Sequence, residues 1–110
     1  MAVQESSTRL SFHDATLAGV RQDGPMVRLS VTDLGDDQAV QHATVTIEGV
    51  QAVLRSGSPI EQLRMEGEDG EILALREESG TVLLAVLWHD GREFRDAVYH
   101  MVGGKIASVA

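Results

Sequence analysis

The stretch Thr81–Met101, TVLLAVLWHDGREFRDAVYHM, decides the fold class. It sets Asp90-Gly91, a dipeptide that accepts the positive φ of a tight turn, between two extended runs, the signature of a β-hairpin. The first run, Val82–Trp88, is apolar on both alternating sets, Val82, Leu84, Val86 and Trp88 on one and Leu83, Ala85 and Leu87 on the other. That pattern predicts a strand covered on both faces. A two-residue loop centred on Asp90-Gly91 places His89 opposite Arg92, Asp96 opposite Ala85 and His100 opposite Thr81.

Upstream, the same grammar repeats. Thr16–Gln22 and Met26–Thr32 flank Asp23-Gly24-Pro25, a second hairpin, with Val27, Leu29 and Val31 predicted on the buried face. Leu34–Gln38 reads as a loop. Ala39–Glu48 alternates Ala43, Val45 and Ile47 against His42, Thr44, Thr46 and Glu48, a half-exposed strand with His42 on its wet side. Val50–Arg55 is apolar enough to continue or pair, though its pattern fits neither the strand nor the helix period, and Ser58-Pro59 with Glu61 carries a capping-box pattern that predicts a short helical turn through Leu63. Glu66–Gly70 reads as an acidic turn, Glu71–Glu77 as a strand with Leu73 and Leu75 on one face, and Gly103-Gly104 as the turn into Lys105–Val109.

The expectation is an all-β fold, an antiparallel two-sheet sandwich or partly open barrel of seven to nine short strands with at most one short helical turn, two packed sheets being favoured. Residues 1–9 are polar and predict a flexible N-terminus; residues 10–110 predict a single β-sandwich-like domain.

Composition excludes several functions. The chain has no cysteine, so it offers no disulfide, thiol nucleophile or thiolate metal site. Seventeen acidic against nine basic residues give a net charge of −8, which repels nucleic acid and anionic membranes. The first residues carry neither a basic start nor a long apolar run, and a cytoplasmic protein with no membrane segment is expected. No phosphate-cradling glycine loop and no residue pattern for a cofactor is present.

Two aromatic-His-Asp triplets, Phe12-His13-Asp14 and Trp88-His89-Asp90, together with His42 and His100, raise the question of a metal or acid–base site. Adjacent strand residues point to opposite faces, so each His-Asp pair diverges, and His89 and His100 stand about 26 Å apart along the predicted ladder. No recognised ligand spacing links them. Phe12-His13-Asp14-Ala15 recurs as Phe94-Arg95-Asp96-Ala97, which suggests a phenylalanine in the core and an aspartate bonding backbone amides at a bend. In the predicted register Asp96 lies among apolar neighbours, where a carboxylate needs either a functional reason or a bulge that turns it outward.

Phe12-His13-Asp14-Ala15-Thr16-Leu17, followed by a hairpin, and the later run from Gly70-Glu71-Ile72-Leu73 through Val86-Leu87-Trp88 resemble small bacterial β-rich proteins that begin with an F/W-H-D-A-x-L motif. Some of these are similar to immunity proteins of toxin systems. The resemblance implies a sandwich-like fold and a non-catalytic binding role, with Phe12, His13 and Asp14 as a shared structural start. The leading expectation is a protein-binding domain that contacts a protein partner or self-associates as a homodimer, with His13, Asp14, Trp88, His89 and Asp96 as candidate binding residues and no metal. The alternative is a small-molecule-binding or metal-dependent hydrolytic domain with its site near Trp88, His89 and Asp96.

Overall fold

Residues 14–32 and 42–110 are described by a computed structural model, in which the alternation of the sequence becomes nine antiparallel strands. They are β1 (Thr16–Asp23), β2 (Met26–Thr32), β3 (His42–Glu48), β4 (Ala52–Arg55), β5 (Ser58–Ile60), β6 (Asp69–Glu78), β7 (Thr81–Asp90), β8 (Glu93–Val102) and β9 (Lys105–Val109). Among the described residues there is no helix, and so none long and apolar enough to cross a membrane. The expected flexible N-terminus, Phe12 and His13, and the Leu34–Gln38 loop lie outside the described residues.

All nine strands join one unclosed sheet in the order β5-β4-β8-β7-β6-β1-β2-β3-β9, where two packed sheets were favoured by the spacing. The splice is β1. It pairs with β2 along its length but with β6 only at Thr16↔Glu71 and Leu17↔Gly70, supported by Asp14 N–H donating to Ile72 O and Ile72 N–H to Ala15 O, both at 2.8 Å. A bulge between Leu17 and Gly19 then leads β1 away. Gly70 is required at this seam, because a Cβ there would lie 2.5 Å from Val86 Cγ1.

Beyond the seam the sheet folds over itself. Val27, Leu29 and Val31 of β2 and Ala43, Val45 and Ile47 of β3 share one core with Val82, Leu84, Val86 and Trp88 of β7 and Ala97, Tyr99 and Met101 of β8. The fold thus achieves sandwich-like burial with a single sheet. The alternation predicted for β2 and β3 is the one observed.

Four readings change. The Ser58–Leu63 helical turn is absent: Ser56 and Gly57, both at positive φ (50° and 86°), make a type I′ hairpin that pairs Arg55 with Ser58, and the following residues become β5. In β6 a bulge between Ile72 and Ala74 resets the alternation, so Ile72 is buried and Leu75 packs on the core while Leu73 is 38% exposed. The central hairpin turns on Gly91-Arg92, with Asp90 the last paired residue of β7 opposite Glu93. His89 therefore faces Phe94, Asp96 faces Leu87 and His100 faces Leu83. Lastly, β7 is covered on one face only, since Leu83, Ala85 and Leu87 remain half-exposed.

Candidate functional site

The two faces of β7 carry different chemistry. On the inner face, Trp88 is 1% and Tyr99 0% exposed, their rings meeting edge to face with centroids 6.5 Å apart. A buried indole N–H and phenol O–H both need partners. Trp88 Nε1 donates to the Tyr99 hydroxyl at 2.9 Å, and Tyr99 donates in turn to Glu66 Oε2 in a short hydrogen bond.

Glu66 stands in the segment between β5 and β6, the stretch read as an acidic turn, and it is gripped from the opposite side. Arg55, at the end of β4 and paired in register with Tyr99, places Nε 2.8 Å from Oε2 and Nη2 2.8 Å from Oε1 of Glu66. This is a bidentate fork, the strongest form of guanidinium–carboxylate contact. Arg95, opposite Trp88, donates from Nη2 to the Glu66 carbonyl at 3.2 Å. The same segment is anchored by Leu63, 1% exposed, whose N–H donates to Gln22 Oε1 at 2.7 Å. The polar chain Trp88–Tyr99–Glu66–Arg55 thus fastens a loop over one end of the core.

Its electrostatics follow from that geometry. Burial pushes the Glu66 pKa upward, but hydrogen bonds from Arg55 and Tyr99 outweigh it and hold the carboxyl below its ordinary value. Burial and the bond to Glu66 push the Tyr99 phenol up to about 12. Both groups move away from neutrality, the reverse of the tuning that proton transfer needs. The arrangement suits fastening.

The sequence-derived candidates do not assemble. Trp88 lies in the inner core while His89 and Asp96 lie on the outer face. His89 meets a carboxylate, yet not its neighbour Asp90: Nδ1 is 3.1 Å from Asp69 Oδ1 across the β6–β7 pair, and the imidazole packs edge to face on Phe94 at 4.9 Å. Asp96 is exposed without any bulge in the β7–β8 pairing, because strand alternation alone turns it outward. Asp14 adopts φ 70°, a left-handed conformation that aspartate tolerates, whereas Asp96 is in a regular strand, so the repeated tetrapeptide is not repeated in structure. Phe94 does not plug the core; it is 61% exposed. His13 lies outside the described residues. Among the described residues, no three acidic or histidine side chains converge to hold a metal.

The outer face of β6, β7, β8 and β4 was unforeseen. Across β6, β7 and β8 its side chains form rows: Asp69–His89–Phe94, Glu71–Leu87–Asp96, Ala74–Ala85–Val98, Arg76–Leu83–His100 and Glu78–Thr81–Val102. Leu54 and Ala52 of β4 extend the last two. Nothing among the described residues buries the apolar centre of this face, and Phe94 projects at its end. Comparison of the chain with family models, with curated proteins and with solved structures found no match.

Proposed function

We propose that this chain is a non-catalytic protein-binding domain whose contact surface is the outer face of β6, β7 and β8. The observation that carries the reading is the central strand. Leu83, Ala85 and Leu87 of β7 line up beside Val98 on a half-exposed face, with Phe94 61% exposed at its edge and charged residues around it. A contiguous apolar patch with a polar rim is the surface that protein contact uses, and aromatic residues at such a patch are its usual anchors. The resemblance carried by Phe12–Leu17 points to the same class. His89 and Asp96 sit on this face and are assigned to its rim.

The test is a photo-crosslinking scan of the full chain in the cells that make it. A photoreactive residue is placed at Leu87, Phe94 or Val98, and as controls at Arg28 or Thr44, exposed positions of β2 and β3. Protein adducts confined to the first group are expected. Adducts spread equally over both groups, or none at Leu87 and Phe94, remove the reading.

A further inference from the structure

The rows of the outer face carry opposite chemistry on either side of Ala85. One step toward the Gly91 turn lies an acidic row, Glu71–Leu87–Asp96; one step away lies a basic row, Arg76–Leu83–His100; between them are the small side chains Ala74–Ala85–Val98. Such a surface is complementary to itself. A two-fold axis crossing the strands at Ala85, in the plane between two facing sheets, exchanges the acidic row of one copy with the basic row of the other.

We infer that the occupant of this face is a second copy of the same chain, packed sheet on sheet about that axis. The inference rests on the protein-binding role assigned to the face and names its partner. In this arrangement Ala85 meets Ala85 and Val98 meets Val98, which lets the sheets approach at their centre. Leu87 of each copy covers Leu83 of the other. Asp96 stands over His100 of the second copy, and Glu71 over its Arg76, which within its own chain reaches Glu78 at 2.6 Å on an exposed surface. Further out, Phe94 covers Val102 and Ala52. Asp69 and Glu78 are the only like-charged rows brought toward each other, and they fall at corners that the roughly 30° offset between packed, twisted sheets moves apart.

The size is adequate. Three ten-residue strands and the four residues of β4, spaced about 4.8 Å apart with a rise of about 3.4 Å per residue, make a patch of roughly 500 Å² in projection. With side-chain relief this approaches the roughly 600 Å² per partner at the small end of specific interfaces. The register also gives Asp96 a purpose: an exposed carboxylate beside Leu87 becomes an acceptor for the imidazole of the other copy.

Light scattering and sedimentation of the full chain over a concentration series test this, with Trp88 fluorescence confirming the fold of each variant. The wild type is expected to dimerise. Leu87→Arg places a cation in the centre of the contact and is expected to leave a folded monomer. Asp96→Lys, which removes the acceptor facing the His100 imidazole, and His100→Glu, which sets two carboxylates together, lie at positions outside the buried core and are each expected to weaken association about tenfold or more. The double variant, which restores an opposite pair, is expected to recover the wild-type dimer. A wild type that stays monomeric throughout overturns the inference, as does a dimer indifferent to Leu87→Arg. A dimer sensitive to Leu87→Arg, with no rescue in the double variant, overturns the stated register. A monomer whose Leu87 position still crosslinks to a different protein overturns the second copy alone, while absence of any adduct at Leu87 and Phe94 removes the binding role itself.

Discussion

Tyr99 donates its hydroxyl proton to Glu66, thirty-three residues away in the chain, while accepting the indole proton of Trp88. One phenol oxygen therefore joins the core of the sheet to the loop that covers its end. Replacing Tyr99 with phenylalanine leaves the Trp88 N–H buried without its acceptor and Glu66 without one donor. Urea unfolding is expected to show a loss of about 1–3 kcal/mol, the cost of an unsatisfied buried group. A change below the error of the measurement would mean that water replaces the phenol.

The chain contains a single tyrosine, so phenolate absorbance reports Tyr99 alone. In the folded protein the phenol titrates near 12 instead of 10.0. A raised folded pKa means that the stabilisation is complete below pH 10 and is lost as pH climbs toward 12, because the unfolded chain releases its proton first. The expected result is a melting temperature that falls across that window in the wild type, with the Tyr99 contribution missing in Tyr99→Phe. A phenol titrating at 10 in the native protein contradicts the burial assigned to it.

At the acid end the sign is opposite. Glu66 is held below its ordinary pKa by Arg55 and Tyr99, so its contribution is complete above the unfolded carboxylate range and is lost as pH falls through the folded value. Glu66→Gln is expected to be less stable than wild type at neutral pH and to flatten the acid limb of the stability profile. Parallel acid limbs in the two proteins would show that Glu66 is not responsible.

Gly103 and Gly91 both have positive φ, 82° and 65°, but only Gly103 is crowded: a Cβ there would stand 2.8 Å from the Gly49 carbonyl. Gly91→Ala, with nothing within 4 Å, is expected to cost only the conformational term of about 1 kcal/mol. Gly103→Ala adds a backbone clash and is expected to cost clearly more in thermal unfolding. Equal costs would place the strain in φ alone.

Alternation was the legible part of this chain, since the buried faces of β2, β3 and β7 follow directly from residue spacing. The register of the central hairpin was not. Asp-Gly suggests two central turn residues, but in both Asp23-Gly24 and Asp90-Gly91 the aspartate ends its strand and glycine takes the first turn position at φ near 60°. Pro25 held a clue to this, because its φ is fixed negative and suits the second position of a type II′ turn. The Arg55–Glu66–Tyr99 contacts were invisible because they join three separate segments with no periodic relation. The only available signal was the general one that a tyrosine or tryptophan in a core needs a hydrogen-bond partner. Counting both alternating sets of β7 as buried was a reading of hydrophobicity alone, and it concealed the outer face.

The narrow join between β1 and β6 has a kinetic consequence. β1–β2–β3 and β6–β7–β8 are each built mainly from neighbours in sequence, whereas the join ties Asp14–Leu17 to Gly70–Ile72, and β9 must return to β3. Local meanders close sooner than distant pairings, so the two halves of the sheet are set to form as separate units and to meet last at Gly70. Amide hydrogen exchange should then find the bonds of Asp14 and Ile72 opening ahead of those inside β7, making the seam the place where this sheet begins to come apart.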